Sequence, residues 1–310
     1  MNNNFVFMAF SRGQQSTDSV VMPKYVGVAP VTVLAVNPNK AKLEELYGRT
    51  MDNEPEYITE VETDGKKYQS VRINFIVKTD AEKCNGIDLI TGITFFIQKR
   101  YRQGSQSGKY QIIDKYGRTA WATKEEIQAK QIPSYTNGPA NIDADYRPAY
   151  VGEEELTNFI KNYLNIPNVQ AYVDGKWVLN TKVDPKDCEA RLENIEDYFK
   201  GNFKELNDII SYQPNNKVKV LFGVRTTDDN KQYQTVLTQM VLRSSVTNYS
   251  ELDAFIQERK NNGAYNNIEF SNGNTIEDIK EYKVEATDFS NTNTNNSVAE
   301  GAGVPWDFSD

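Results

Sequence analysis

Two stretches of the chain alternate between apolar and polar residues for longer than a helix could keep either kind on one side. In KKYQSVRINFIVKT, residues 66–79, Val71, Ile73, Phe75 and Val77 share one face, and Arg72, Asn74 and Lys78 share the other. In GITFFIQKRYR, residues 92–102, Ile93, Phe95 and Ile97 face one way, and Thr94, Phe96, Gln98, Arg100 and Arg102 face the opposite way. A period of two rich in β-branched and aromatic residues predicts strands with one buried face. Gly-Ser-Gln-Ser-Gly at 104–108 then reads as a loop, KYQIID as a returning strand, DKYG as a tight turn and RTAWAT as a further strand. The expectation is a β-meander running from the second stretch through residue 122.

Regular structure is expected to begin earlier, at Val26–Val36, followed by the turn NPNK and a short helix carrying Ala41, Leu43, Leu46 and Tyr47. The run VGVAPVTVLAV is the longest apolar one. It falls far short of the roughly 20 residues of a membrane-spanning helix, and MNNNFVFMAF has no cationic segment of the secretory kind. The protein is therefore expected to act in a cytoplasm.

Beyond residue 150 the pattern turns mixed. GEEELTNFIKNYLNIP predicts a helix with Leu156, Phe159, Ile160, Tyr163 and Leu164 on one face and Pro167 beyond its end. DPKDCEARLENIEDYF predicts a second, with Asp184 as N-cap, Pro185 at the first position, and Cys188, Leu192, Ile195 and Phe199 aligned. FKELNDII suggests a third. KVKVLFGVRTT and QYQTVLTQMVLR read as paired strands around DDNK, and SELDAFIQERKNNG as a closing helix capped by Ser250 and ended near Gly263. The fold class expected is α+β. A flexible arm (1–25) precedes a β-rich, barrel-like region (26–150). A mixed helix and strand region (151–284) packs on it, and a disordered acidic tail (285–310) follows.

Chemistry narrows the functions. The chain has no histidine, which removes Ser-His-Asp triads, Cys-His pairs and the histidine-bearing zinc sites. Its two cysteines, Cys84 and Cys188, make neither a disulfide framework nor a metal site, and Cys188 reads as core. GSQSGK departs from a phosphate-binding loop: Gly104 and Gly108 are one residue too close, and Tyr110 stands where Ser or Thr is required. No carboxylate spacing suggests a magnesium site. Catalysis, metal and cofactor are not expected.

What stands out is local charge. The protein carries a formal net charge of -8, yet residues 89–124 hold seven Lys or Arg and one acid, Asp114. Single-stranded nucleic acid asks for cations along its phosphates and aromatic faces under its bases. The candidate cations are Arg72, Lys99, Arg100, Arg102, Lys109, Lys115 and Arg118. The candidate stacking rings are Phe96, Tyr101, Tyr110, Tyr116 and Trp121. Phe96 is the most telling, because alternation puts it on the polar, cationic side of its strand. Tyr and Phe are also simply good strand residues, so a purely structural role for the cluster stays open.

After Lys283 the chain has no further cation and carries five acids. SNTNTNNS is too polar to bury surface, and GAGVPWDFSD brings Pro305, Trp306, Asp307 and Phe308 together.

GKYQIIDKYGRTAWA (108–122), RPAYVGEEELTNFIKNYLNI (147–166) and this acidic, apolar-tipped ending resemble the single-stranded DNA-binding proteins of tailed, crAss-like bacteriophages of Bacteroides type. The ending departs from the bacterial pattern, since the chain finishes on Ser309-Asp310 rather than on Phe. The resemblance implies an OB-like β-barrel and sequence-tolerant, cooperative coating of single-stranded DNA in phage replication or recombination. It implies self-association along DNA, and a tail whose tip (Pro305, Trp306, Asp307, Phe308) recruits replication or recombination proteins. The site of action would be the host cell cytoplasm. The alternative is a phage virion or assembly protein, which Asn-rich arms and Tyr-rich strands also suit. A carboxylate-metal nuclease is a third class, with no Asp/Glu/Lys constellation behind it.

Overall fold

A computed structural model describes residues 23–101, 110–113, 119–123, 125, 126, 129, 131–133, 139–141, 147, 148, 150–168, 170–173, 176–180, 182, 183 and 192–283. The elements in chain order are β1 (Tyr25–Val36), α1 (Lys40–Tyr47), β2 (Ile58–Thr63), β3 (Lys66–Thr79), β4 (Ile90–Tyr101), β5 (Tyr110–Ile113), β6 (Thr119–Ala122), β7 (Gln131–Pro133), β8 (Pro139–Asn141), β9 (Arg147–Pro148) and β10 (Tyr150–Val151). There follow α2 (Glu153–Tyr163), β11 (Gln170–Val173), β12 (Lys176–Leu179), α3 (Ile195–Tyr198), α4 (Lys204–Tyr212), β13 (Lys217–Thr226), β14 (Gln232–Arg243), α5 (Ser250–Asn261), β15 (Ile268–Glu269) and β16 (Lys280–Glu281).

The architecture is α+β. A curled antiparallel sheet, a half-barrel, runs β10-β4-β3-β1-β13-β14, with β2 added to β3, β15 to β13 and β16 to β1. Alternation decides what lies inside. Val71, Ile73, Phe75, Val77, Ile93, Phe95 and Ile97 are all buried, as their shared face predicts. Against them pack α2, α3 and α4 through Leu156, Phe159, Ile160, Tyr163, Ile195, Tyr198 and Leu206. The rings of Phe75 and Phe95 meet edge to face at 5.9 Å, and Phe159 of α2 leans on them at 4.4 and 5.3 Å. Burying one such ring stabilises by about 1.5–3 kcal/mol. The opposite face of the sheet is covered only in part. There Val28, Leu221 and Leu237 lie under α5 and the segment after it, through Tyr249, Leu252, Ile256, Phe270 and Ile276.

Several expectations are corrected. The meander is interrupted: among the described residues β4 pairs with β3 and β10, and β5 with β6 and β9. The segment returning at 147–151 takes the place of the hairpin partner. Tyr150 registers with Tyr101 and Val151 with Gln98, while Pro148 and Arg147 register with Ile112 and Ile113. The β5–β6 pairing around DKYG is as expected, with Ile113 opposite Thr119.

The helix expected to run to Phe199 is helical only at Ile195–Tyr198 within its described part. The Glu205 carboxylate accepts the backbone N–H groups of Glu193 (2.8 Å) and Asn194 (3.2 Å), donors that a continuous helix would have used itself. Residues 184–191, with Asp184, Pro185 and Cys188, lie outside the described residues. Ser250 is the first residue of α5 rather than its cap: its N–H donates to Asn248 Oδ1 at 2.9 Å, and the cap position belongs to Tyr249. Nor does α5 close the body, because Phe270, Ile276 and Ile279 pack after it.

The sheet also draws on both sides of residue 150. Val31 of β1 registers with Thr79 of β3 on one side and Val218 of β13 on the other. Residues 1–22 and 284–310, the greater part of the expected arm and the whole tail, lie outside the described residues. Among the described residues no helix is long and apolar enough to cross a membrane.

Candidate nucleic-acid interface

Among the described residues, no helix covers the face of β2, β3 and β4 that turns away from α2. Neither β3 nor β4 carries an acid, whereas alternation puts Lys66, Arg72, Lys78 and Arg100 on this face. The acids of β2, Glu60 and Glu62, register with Gln69 and Lys67 and so belong to the other face.

Phe96 lies in the middle of this surface, 60% exposed. It registers directly opposite Arg72, which brings the two side chains to about 5 Å at their Cβ atoms. Arg72 is held from its far side. Its guanidinium carbon is 5.6 Å from the centre of the Tyr57 ring, and Nη2 donates to Glu56 O at 2.8 Å. Its Nε is buried without a hydrogen-bond partner. Tyr57 is itself anchored. Burial pushes its hydroxyl up to about 12, so it keeps its proton and donates to Pro38 O at 2.6 Å. Tyr57 and Arg72 are therefore an anchored pair, with Phe96 in register beside it on the next strand. Nearer the β2–β3 hairpin tip a second unit repeats the first. The Arg100 guanidinium carbon is 5.6 Å from the Tyr68 ring centre, and its Nε donates to Gln98 Oε1 at 2.6 Å.

The hairpin that carries Tyr68 turns at Asp64-Gly65, both at positive φ (53° and 70°). That is the two-residue primed turn that suits the twist of paired strands. Arg72 lies where β1 gives way to β2 along the same edge of β3. Asn37 seals the junction, donating to Arg72 O at 3.0 Å and accepting from Asn74 N at 2.6 Å.

Of the candidates drawn from the sequence, Arg72, Phe96 and Arg100 meet on this face. Lys99 does not. It points to the opposite face, with its ammonium 3.0 Å from Glu196 Oε2 and 5.5 Å over the Phe199 ring. Bonds from the Tyr150 hydroxyl, and then from Lys99, hold Glu196 below the usual carboxylate range. The backbone of Tyr101 ends β4, opposite Tyr150. Tyr110 and Trp121 lie in β5 and β6, a separate three-stranded sheet with β9. Arg102, Lys109, Lys115, Tyr116 and Arg118 lie outside the described residues, as do Pro305, Trp306, Asp307 and Phe308.

Sequence reasoning missed Tyr57 and Tyr68. Tyr68 was readable, being two alternations from Arg72. Tyr57 precedes β2, and β2 itself was signalled by Asp64-Gly65 between two alternating runs. No family model, curated protein or solved structure matches this chain.

Proposed function

We propose that the face of β2, β3 and β4 binds single-stranded DNA without sequence preference, in the replication or recombination of a phage. One observation carries this reading: an exposed ring, Phe96, directly across from one oriented guanidinium group and four residues along its strand from another, on strands that carry no acid. Stacking a base on such a ring is worth about 1–3 kcal/mol, and every base has a face to stack. Net acidity elsewhere is no obstacle, because the local field meets the phosphates.

In this reading the half-barrel works as an OB-like barrel, whose partly open strand face is the usual seat for a single strand. The phage setting and its host-cytoplasm location rest on the resemblance of residues 108–122 and 147–166. The same resemblance assigns the acidic stretch after Lys283 two roles: competing for the basic face, and recruiting replication proteins through Pro305, Trp306, Asp307 and Phe308. The activity needs no catalysis and no cofactor.

The test is fluorescence anisotropy with a labelled oligothymidine and with a duplex of equal length, each at two salt concentrations. Preference for the single strand, weakening with salt by about 0.7 in log K per log[salt] for each phosphate contacted, is the expected result. Equal or absent binding would remove the reading and leave a virion or assembly role, for which self-assembly without DNA is the measurement.

A further inference from the structure

We infer that Arg72 and Arg100 serve as stacking planes for two unpaired nucleobases, and that the phosphates are met by other cations, Lys66 foremost. The inference rests on the single-strand-binding reading above and specifies how that site works.

The argument comes from how the two guanidinium groups are held. Each lies against a tyrosine ring, Tyr57 or Tyr68, with its carbon 5.6 Å from the ring centre. Each has donors already committed or closed off. Arg72 gives Nη2 to Glu56 O, and its Nε is buried. Arg100 gives Nε to Gln98 Oε1. A phosphate clamp needs the fork of donors free and turned outward. In Arg72 the Nε–Nη2 edge of the fork is taken up, and in Arg100 the Nε corner, so neither offers that side-on pair of donors to a phosphate and each group is held beside its tyrosine. A delocalised, weakly hydrated guanidinium stacks well on an aromatic system, which an ammonium cannot do. Lys66 is the opposite case, an exposed ammonium on a flexible stem at the hairpin tip, suited to a phosphate that arrives at variable positions.

Spacing adds the ligand's conformation. Tyr68 and Arg72 are four residues apart on β3, about 13 Å at a strand's rise. Stacked bases in one strand follow each other at about 3.4 Å. The two platforms therefore take bases that are not stacked neighbours, so the strand must be opened out, as an unpaired strand is and a duplex is not.

The experiment uses two probes of equal length and charge, oligothymidine and an abasic oligonucleotide with the same phosphates and no bases. The full chain is compared with Arg72→Lys, Arg100→Lys and Lys66→Gln, each checked for an unchanged melting temperature. Expected for either Arg→Lys variant is a loss of about 5- to 100-fold on oligothymidine, an unchanged salt slope, and no change on the abasic strand. Expected for Lys66→Gln is a slope lower by about 0.7 and an equal loss on both probes. If Arg72→Lys melts early because the β2 junction loosens, Arg100→Lys decides, being outside that junction. Wild-type affinity equal for the two probes would overturn the stacking role while leaving single-strand binding intact. So would Arg→Lys variants that bind both probes like wild type, or that lose both equally. A wild type that binds neither probe would overturn the functional reading and this inference together.

Discussion

Gly152 packs so tightly on Phe96 that a Cβ on the glycine would fall within bonding range of the phenylalanine's carbonyl oxygen. The residue that offers its ring to solvent thus offers its backbone to the first turn of α2. Gly152 also holds φ at +85°, in the left-handed region, at the N-cap of α2. Gly152→Ala meets both penalties, conformation and clash, and neither relaxes without moving β4 or α2. Chemical denaturation should show a loss of more than about 1 kcal/mol, and an unchanged midpoint would contradict this packing.

Phe96→Ala should separate binding from folding. The ring is exposed, so stability should stay within about 0.5 kcal/mol of wild type, while single-strand affinity falls by about 1–3 kcal/mol. Anisotropy and thermal melting on one preparation check both. A variant that folds and binds like wild type would leave Phe96 a bystander.

Glu196 sets a pH dependence. Its folded-state pKa lies below the ordinary carboxylate value because Tyr150 and Lys99 bond to the ionised form. Such a group stabilises the fold above its unfolded-state pKa, and the contribution disappears as pH falls through the folded-state value. Glu196→Gln should therefore cost stability at neutral pH, by about 0.2–1 kcal/mol for a pair this exposed. The gap from wild type should close as the pH drops below the carboxylate range. A gap that persists at low pH would show that packing, not charge, holds α3 to β4.

Cys84 is buried and free, and desolvation pushes its thiol up to about 11. Little thiolate exists near pH 8, and little of the sulfur is accessible, so alkylation of the native protein should spare the peptide that contains Cys84. Peptide mapping by mass spectrometry, before and after denaturation, reads this out. Rapid labelling of that peptide in the native state would mean that the segment around Asp80–Asp88 opens.

The parts readable from sequence were those in which one element decides its own environment. The alternation of residues 66–79 and 92–100 places every buried side chain of β3 and β4 named from it, and puts Phe96 outward. The helical face of α2 is equally self-contained. What escaped depends on distant chain. Nothing in the sequence near Tyr101 says that Tyr150, rather than the next strand, will take its edge. Nothing near Leu192 says that Glu205 will capture two backbone donors and shorten a helix. Two-residue strands such as β15 and β16 are too brief to carry a period. In the site, Arg72, Phe96 and Arg100 followed from alternation. Tyr57 did not, because its place under Arg72 depends on β2 returning along an edge that β1 has just vacated.

The position of β1 between β3 and β13 also has a consequence for how the protein is made. Val31 finds its partner Thr79 early in translation, but its other partner, Val218, emerges roughly 140 residues later, on the order of 10 s at about 5–20 residues per second. Throughout that interval one whole edge of an apolar strand has no neighbour, the situation in which nascent sheets aggregate or pair with another chain. Completion of the fold is therefore tied to the arrival of the β13–β14 hairpin. A chain cut short before Lys217 should be captured by chaperones or precipitate, although it already contains the whole candidate binding face.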